Sequence, residues 1–382
     1  MSHTRPLRIF FDATAIAADS KSGVGYYSLY LVRALAEAFP DDVQLVGHYY
    51  NFLGRHTPNV PLAANISYRQ TRLIPAKVAN LLRRIGIPIP YELLLKGRAD
   101  ILLFPNFLTQ PSLFGTPIVA TIHDLAFVTH PEFVAERNLH DLRRFVPQTI
   151  RRARLLLSVS NFAKQQLMNQ YQLPAEHIVV TPVPPQQMQP LTDPAVDTCL
   201  DRMGIKKPYI LFVGNFEPRK NLDKLISAYL ACPASILETY SLVLAGGAGW
   251  KSESLRQRIS DLQGQGADII TPGYVTDRQK AALYQRASLV ALTSLYEGFG
   301  MQILEAMAFN RPLLLSDIPV FHEVGGRAVR FVDPGDQRAI RDGLVAGLDG
   351  RPVSAKEYCT ILARYNWPDI AKSIHDKLRE LA

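Results

Sequence analysis

Short apolar runs alternate with amphipathic stretches along most of the chain. The apolar runs are typical of strands that are buried on both faces of a parallel sheet. The stretches between them place apolar residues three and four positions apart, as helices do. Because strands and helices are expected to alternate, the pattern predicts an α/β protein with parallel sheets and crossover helices.

Twelve strands are predicted from these runs, six in each half of the chain. Those of the first half are LRIFFDA, VQLVGHYY, ADILLFP, TPIVATIHD, RLLLSVS and HIVVTPV. Those of the second half are YILFVGN, SLVLAGG, DIITPGY, SLVALTS, RPLLLSD and AVRFVDP. The helices predicted between them include residues 26–39, 161–171, 222–230, 252–262, 277–286, 303–309 and 337–348. Each half is therefore expected to form its own doubly wound, Rossmann-like domain.

The two predicted domains join in residues 181–197, where proline is dense and no hydrophobic period survives. The N-terminal domain is expected to cover residues 1–188 and the C-terminal domain residues 198–365. Residues 366–382 are expected to form a lone amphipathic helix. Ligands of open parallel sheets bind at the carboxyl ends of the strands, so two such domains predict a ligand cleft between them.

Composition excludes several classes of protein. A chain of 382 residues with 47% hydrophobic and 20% charged residues is typical of a folded protein of two domains. Its three cysteines are widely spaced and include no CxxC pair, which argues against a disulfide framework or a zinc site. No export signal and no run of about 18 apolar residues is visible, so we expect a cytoplasmic protein.

Positive charge is concentrated in the first half of the chain. Residues 1–190 hold 19 Lys and Arg against 12 Asp and Glu, within a net charge of +8. The densest stretch, residues 69–98, contains AKVANLLRRIGIPIPYELLL, which mixes basic and apolar residues. It is either a helix and loop whose leucines enter the core while the arginines are solvated, or a segment that contacts an anionic membrane surface. No nucleic-acid-binding motif accompanies the charge, so nucleic acid is not an expected partner.

The sequence YEGFGMQILEAMAFNRP at residues 296–312 carries a candidate ligand site. A glycine turn at Gly298 and Gly300 lies between a predicted strand and a helix, where free amides and the helix dipole favour an anion. Glu305 lies in the following helix and could accept hydrogen bonds from a vicinal diol such as a ribose. Glu297 precedes the turn. The alternative is a structural turn with solvated glutamates.

A second candidate, VGNFEPRKNL, follows the first strand of the C-terminal half. Arg219 and Lys220 come just before a helix that Asn221 is expected to cap. Two adjacent cations at the end of a strand would complement a diphosphate, Arg219 by its fork geometry and Lys220 as a point charge. The alternative is a pair of solvated loop cations.

Two further candidates lie in the N-terminal half. Gly23 and Gly25 stand between a predicted strand and a helix, where small residues would let the backbone approach a phosphate, or simply form an ordinary turn. His123 lies at the carboxyl end of a predicted strand and could polarise a sugar hydroxyl. A hydrogen-bonded structural histidine is the alternative, and we see no ligand spacing for a metal.

Together these motifs resemble the retaining glycosyltransferases of family 4, which have the GT-B fold of two Rossmann-like domains facing across a cleft. The resemblance spans nearly the whole chain, and its most specific element is the pair of glutamates in EGFGMQILE. Before this element, the chain contains five further segments in the order of the family, namely SGVGYY, TIHDLAF, SVSNFAKQQL, VGNFEPRKNL and PGYVTDRQKAALYQRASL. The resemblance also implies that the terminal helix crosses back to the N-terminal domain.

The resemblance implies a role for each candidate in binding a nucleotide-sugar. Glu297 would lie against the donor sugar, with His123 beside it and with Gly298 and Phe299 contacting it through the backbone. Glu305 would hold the nucleoside ribose. The diphosphate would be bound by Arg219, Lys220, Gly25 and the backbone amides of Gly300 and Met301. Tyr274 and Val275 would lie against the base.

One position departs from the family pattern. Many relatives have arginine or serine directly after the glycine that ends the VG strand, where this chain has Asn215. Arg219 could substitute for that residue. Arg219, Lys220 and the helix N-terminus could neutralise the leaving group without a metal, which agrees with the absence of a DxD motif, and no cofactor is expected.

The resemblance implies transfer of a hexose from a nucleotide-sugar with retention. SGVGYY and TIHDLAF look most like the mannosyl- or rhamnosyl-type transferases of bacterial polysaccharide and O-antigen assembly, and GDP-mannose is favoured as donor over UDP-sugars. The acceptor would be a glycan, free or on a polyprenyl diphosphate at the inner membrane face, where the protein could be peripheral. A nucleotide-sugar isomerase or epimerase and a noncatalytic nucleotide-sugar-binding protein are the alternatives.

Overall fold

A computed structural model describes residues 5–18, 21–54, 63–95, 97–349 and 353–382. The strands of these residues are β1 (Leu7–Asp12), β2 (Val43–Tyr50), β3 (Ile66–Thr71), β4 (Ile101–Phe104), β5 (Ile118–Ile122), β6 (Leu155–Ser158), β7 (Ile178–Val180), β8 (Tyr209–Val213), β9 (Ser241–Ala245), β10 (Ile269–Gly273), β11 (Leu289–Leu292), β12 (Leu313–Ser316) and β13 (Arg330–Val332). The α-helices are α1 (Gly23–Ala38), α2 (Ala76–Arg84), α3 (Tyr91–Leu95), α4 (Ala126–Thr129), α5 (Glu136–Arg152), α6 (Asn161–Tyr171), α7 (Asp193–Arg202), α8 (Leu222–Leu230), α9 (Ala234–Thr239), α10 (Glu253–Gly264), α11 (Asp277–Arg286), α12 (Met301–Ala308), α13 (Pro319–Gly325), α14 (Gln337–Gly347), α15 (Ala355–Leu362) and α16 (Trp367–Leu381).

The chain folds into two compact units that are each discontinuous in sequence. The first unit contains residues 1–125, 136–183 and 366–382, and the second contains residues 126–135 and 184–365. The terminal helix thus groups with the first unit. Residues 126–135 group with the second, whereas the sequence analysis assigned them to the N-terminal domain.

Each unit is built on one parallel sheet. The strand order is β3-β2-β1-β4-β5-β6-β7 in the first unit and β10-β9-β8-β11-β12-β13 in the second. The central strands β4, β5, β8 and β11 are buried at every position, as expected for strands covered by helices on both faces. The predicted α/β class with two parallel, Rossmann-like sheets is therefore confirmed.

Strand β3 was not predicted. Its sequence ISYRQT buries only Ile66, because β3 is the edge strand of its sheet and pairs with β2 alone. Helix α7 also corrects a prediction, since it begins at Asp193, inside the stretch that was expected to lack a hydrophobic period.

The terminal helix α16 packs on α1 in the first unit. Ile374 and Leu378 are fully buried, and the ring of His375 stacks on Phe39 at 3.9 Å. The Asp42 carboxylate accepts a hydrogen bond from His375 Nε2 at 2.7 Å and is paired with the Arg379 guanidinium. Helix α16 is therefore an integral part of the first unit.

The basic stretch of residues 69–98 buries only part of its leucines, so the first interpretation holds for some of them and not for others. Leu81 and Leu93 are more than half exposed, while Tyr91 and Leu95 enter the core. Lys96 lies outside the described residues. None of the helices in the described ranges is long and apolar enough to span a bilayer.

Candidate active site

In the second unit, two loops meet at the carboxyl ends of the neighbouring strands β8 and β11. The β8 loop carries Arg219 and Lys220, and the β11 loop carries Glu297. The backbone N–H of Leu295 donates to the carbonyl of Arg219 at 2.8 Å, which ties the loops together. This is the edge of a parallel sheet at which ligands bind.

Glu297 is buried at the centre of a charged cluster. Its Oε1 accepts hydrogen bonds from Lys220 Nζ at 2.5 Å and from Ser294 Oγ at 2.9 Å. Its Oε2 pairs with the guanidinium of Arg219, whose Nε donates to Glu217 at 2.8 Å. The sequence predicts Arg219, Lys220 and Glu297 beside strand ends in two separate motifs, and the structure brings them into direct contact.

The protonation of Glu297 is set by this cluster. Burial alone would raise its pKa, but the charges of Arg219 and Lys220, together with hydrogen bonds from Lys220 and Ser294, lower the pKa to about 2. The two cations thus face two carboxylates, counting Glu217, and the cluster is electrically neutral. The alternative of solvated loop cations is wrong for Lys220, which is only 6% exposed.

The turn after Glu297 depends on glycine. Gly300 has φ 99°, in the left-handed region, and precedes α12. A Cβ at Gly300 would lie 2.8 Å from the ring of Phe321. Phe299 is buried, with its ring 5.7 Å from that of Tyr365, so only its backbone could contact a ligand.

Glu305 is held by two residues of α11 that the sequence analysis missed. Lys280 Nζ donates to Glu305 Oε1 at 2.7 Å and to Gln186 Oε1 at 2.7 Å. The Tyr284 hydroxyl donates to Glu305 Oε2 at 2.9 Å. The only signal in the sequence is that Lys280 and Tyr284 are four residues apart and so share a helix face. Glu305 is buried and not solvated, and its carboxylate has lone pairs for further donors.

A cavity of 380 Å³ opens beside the ends of β9 and β10 in the second unit. The residues that line it include Phe216, Gly246, Gly247, Arg256, Gly273 and Tyr274. Tyr274 is 54% exposed although it is a large aromatic residue. An exposed ring, glycine backbone and a guanidinium are suited to hold a planar polar ligand such as a nucleobase.

Asn221 differs from its expected role. It precedes α8 in the left-handed conformation, and its side chain makes no capping hydrogen bond. Its amide Nδ2 instead donates to the carbonyl of Pro334 at 2.9 Å. Asn215 is exposed.

His123 lies at the end of β5 in the first unit and is buried. Its Nε2–H donates to the carbonyl of Pro105 at 3.1 Å, and its ring meets Tyr27 edge-on at 5.0 Å. Burial lowers the pKa of His123 to about 4, so the ring is neutral near pH 7. With the proton on Nε2, Nδ1 is an acceptor and could take a hydrogen bond from a hydroxyl.

Gly23 and Gly25 do not stand in a turn as predicted. They lie in the first turn of α1, which begins at Gly23, three residues before the predicted start. A Cβ at Gly25 would lie 2.9 Å from the carbonyl oxygen of Ala15. Close packing against the chain's own backbone therefore explains the glycine. Ser22 makes no side-chain cap, and the first turn of α1 contains no acid, so this helix end remains suited to an anion.

A polar cluster in the first unit was also missed. Asp12 and His48 are partners in register on β1 and β2, and the His48 ring lies 4.9 Å from Tyr50 and 5.8 Å from Tyr91. Burial, and the charge of Asp12, raise the pKa of both tyrosines, so their hydroxyls stay protonated. The hydroxyls of Tyr50 and Tyr91 and Nε of Arg83 are buried with no hydrogen-bond partner among the described residues. These three atoms could satisfy the hydroxyls of a polar ligand.

Among the residues that the structure describes, no three His, Cys, Asp or Glu side chains come together in a way that could hold a metal ion.

The fold and this site define a class of protein, the glycosyltransferases of the GT-B fold. The model of the family described as Glycosyltransferase Family 4 matches residues 21–184, and that of Glycosyl transferases group 1 matches residues 203–358. The chain is 30% identical to the O-antigen chain mannosyltransferase B of Escherichia coli, over 86% of this chain and 87% of that protein. The chain belongs to glycosyltransferase family 4.

Two further comparisons agree with this assignment. The chain is 25% identical to the O-antigen chain mannosyltransferase RfbU of Salmonella typhimurium, over 94% of this chain and 97% of that protein. The crystal structure of Anabaena Alr3699/HepE in complex with UDP and glucose superposes with a TM-score of 0.71 at 17% identity, over 98% of this chain and all of that one. At that identity the likeness shows the fold alone.

Proposed function

We propose that this glycosyltransferase moves mannose from GDP-mannose, with retention, to a glycan acceptor of polysaccharide or O-antigen assembly. The observation that carries the proposal is the ion-paired cluster of Arg219 with the buried Lys220 and Glu297 at the carboxyl ends of β8 and β11. The sugar is suggested by the two relatives that cover most of the chain, both named O-antigen chain mannosyltransferases.

The cations of the cluster are assigned to the leaving diphosphate. When the bond between the sugar C1 and the phosphate oxygen breaks, its electron pair leaves on the nucleoside diphosphate. Arg219 and Lys220 would neutralise this charge, with the amides of Gly300 and Met301 at the start of α12. The first turn of α1, at Gly25, is a further candidate for the diphosphate. These groups could act without a metal.

The glutamates are assigned to different parts of the donor. Glu297, ionised because its pKa is about 2, would stabilise the positive character that develops at C1. Glu305, fixed by Lys280 and Tyr284, would accept hydrogen bonds from the ribose diol. The cavity beside Tyr274, with Val275 next to it in the chain, would receive the base.

The proposed chemistry is front-face transfer. The acceptor hydroxyl forms the new bond to C1 on the face that the diphosphate leaves, and its proton passes to an oxygen of that diphosphate. Nδ1 of His123 would accept a hydrogen bond from a hydroxyl of the donor sugar. Retaining glycosidases use a pair of carboxylates, one of which forms a covalent bond to the sugar. Front-face transfer needs no such pair, so Glu297 forms no covalent bond in this route.

The acceptor is assigned to the first unit. Tyr50, Tyr91 and Arg83 present buried polar atoms without partners among the described residues, which hydroxyls of a sugar would satisfy. We propose a glycan on a polyprenyl diphosphate as acceptor, which would bring the enzyme to an anionic membrane surface.

The test is thermal unfolding of the protein with GDP, UDP or ADP. A ligand at 100 times its dissociation constant adds about 2.7 kcal/mol to the free energy of unfolding. We expect a rise in Tm with GDP alone, lost in K220A and E305A and kept in Y91F, which instead raises KM for the acceptor. A rise with UDP alone would overturn the donor but keep the transferase. No rise with any nucleotide would contradict the whole proposal, as would E297A with full turnover.

A further inference from the structure

Exposed apolar side chains are concentrated on one part of the first unit. Eleven large hydrophobic residues of the described ranges are exposed, and all except Tyr274 belong to three short segments of this unit. We call these segments the apolar face, and its exposed members are Phe52, Leu53, Leu73, Val78, Leu81, Ile85, Ile87, Leu93, Leu113 and Phe114. Their exposed fractions range from 43% for Val78 to 90% for Leu73. Exposed apolar side chains concentrated in this way are typical of an interaction site.

Hydrogen bonds of the backbone join the three segments to one another. The N–H of Leu53 donates to the carbonyl of Arg72 at 3.1 Å. The N–H of Tyr91 donates to the carbonyl of Pro111 at 3.0 Å, and that of Leu113 donates to Glu92 Oε2 at 3.0 Å. The segments that carry the apolar side chains are thus neighbours in space.

Helix α2 lies across this face with almost no contact to the core. Ala79 is its only buried residue. Val78, Leu81 and Ile85 follow at intervals of three and four, so they share one side of the helix and its C-terminal cap. Burial in the core does not explain their apolar character.

Exposed positive charge accompanies the apolar face along the chain, and its acids are buried or paired. The exposed cations in the same part of the sequence are Arg69, Arg72, Lys77, Arg84 and Arg98. Of these, Arg84 is paired with Asp141. The acids in residues 63–114 are Glu92 and Asp100. Glu92 is buried and accepts hydrogen bonds from Ser112, Leu113 and Thr116, and Asp100 is paired with Arg5. The segments of the apolar face therefore combine exposed apolar side chains with a net positive charge.

We infer that the apolar face docks the enzyme on an anionic phospholipid bilayer, with α2 lying in the interface. A short helix with aliphatic residues on one side and cations beside it is the pattern of such helices. Like charges oppose a second copy of the chain in this place, because a self-complementary contact would set the cations of one copy against those of the other.

This inference specifies how the enzyme would reach a lipid-linked acceptor, and it rests on the proposed function for that purpose. The binding of the apolar face to lipid does not itself depend on the proposed function. Arg83 of α2 contributes one of the unpartnered polar atoms assigned to the acceptor, and its guanidinium lies 4.9 Å over the ring of Phe145. A lipid-linked glycan held there would come from the same surface on which α2 lies.

The test is co-sedimentation of the full chain with phosphatidylcholine vesicles and with vesicles containing about 30% phosphatidylglycerol, without donor or acceptor. We expect binding to the anionic vesicles alone, weakened by high salt. Two variants test the face. L81S/I85S/I87S removes apolar contacts at exposed positions, and R69Q/K77Q removes two cations.

Each removed cation should weaken binding about fivefold, and the apolar variant should reduce it by at least as much as the pair. K206Q/K356Q, with the same loss of charge at exposed positions of the second unit, should bind like the wild type. Absence of binding by the wild type would overturn the inference, and so would equal binding by the apolar variant or equal loss in the control.

Two further measurements distinguish docking on lipid from self-association of the chain and from a failure of the donor site. Light scattering during gel filtration would overturn the inference if it showed a dimer that L81S/I85S/I87S dissolves. The nucleotide-induced rise in Tm, measured on the same variants, should be unchanged, which also shows that they are folded. Vesicle binding without a nucleotide effect would contradict only the proposed donor site. A nucleotide effect without vesicle binding would contradict only the docking surface.

Discussion

The two glutamates of the 297–305 motif are both buried, but different partners hold them. Glu297 is shared between two cations and a serine hydroxyl. Glu305 is shared between one lysine and a tyrosine hydroxyl. The carboxylate of Glu297 therefore competes with any anion for Arg219 and Lys220. The carboxylate of Glu305 forms no hydrogen bond with either of these cations among its described contacts.

This competition predicts an unusual effect of the E297Q substitution. Without the carboxylate, the two cations are left with an unmatched positive charge, so we expect the dissociation constant of the nucleoside diphosphate to fall by about five- to tenfold, on the order of 1 kcal/mol. Turnover should fall by about 100-fold or more, since the carboxylate that we propose to face the reacting carbon is lost. Calorimetry gives the first quantity and initial rates give the second.

The matched control is E217Q, which removes the other carboxylate paired with Arg219. It should raise nucleotide affinity less, because Glu217 contacts Arg219 while Glu297 contacts both cations, and it should leave turnover much closer to the wild type. Weaker nucleotide binding by E297Q would show that Glu297 positions the cations and does not compete for them.

At the scale of elements, the turn into α12 depends on the backbone of one residue. Gly300 combines a left-handed conformation with a Cβ position blocked by Phe321. Gly204 also has a positive φ, of 75°, but a Cβ there would meet nothing within 4 Å. An alanine at Gly204 would therefore introduce backbone strain alone, whereas an alanine at Gly300 would add a steric clash.

We predict that G204A lowers the free energy of unfolding by about 1–2 kcal/mol, from the left-handed backbone alone. G300A should cost about 1–3 kcal/mol more, because its methyl group overlaps the ring of Phe321. Urea unfolding of both variants measures the difference. Equal losses would mean that Phe321 moves away at little cost.

The sequence predicted elements well where burial decides them and poorly where it does not. YILFV of β8 is buried at every position and was predicted, whereas ISYRQT of β3 buries one residue and resembles a loop. The candidate site follows the same rule. Strand ends could be located, so Lys220 and Glu297 could be placed beside them, but nothing local distinguishes Lys280 from a solvated lysine. Its partner Glu305 belongs to another helix and is brought near by tertiary packing.

At the scale of the whole molecule, each unit has its own sheet and its own buried core. Leu378 of α16 is fully buried in the first unit, and Leu344 of α14 is fully buried in the second. Shortening a buried leucine to alanine costs about 2–5 kcal/mol wherever the cavity stays open. The two positions thus offer the same chemical change in different units.

We predict that L378A accelerates hydrogen exchange in β1, β2 and α1, and that L344A does so in β12 and β13. Exchange follows local stability, and each core is expected to open as its own cooperative unit. Mass spectrometry of peptides from both units gives the comparison. If either variant accelerated exchange equally in both units, the chain would be unfolding as a single body.

Residues 126–135 illustrate a constraint on recombination between related genes. This segment comes from the middle of the N-terminal half, yet it belongs to the second unit, where the ring of His130 lies 4.9 Å from that of Tyr296, beside Glu297. A chimaera made with a single crossover near residue 184 would pair a foreign Tyr296 with the recipient's own His130. It would also replace α16, which packs on α1. A hybrid enzyme that keeps both cores intact has to exchange residues 126–135 together with residues 184–365 and leave the C-terminus in place.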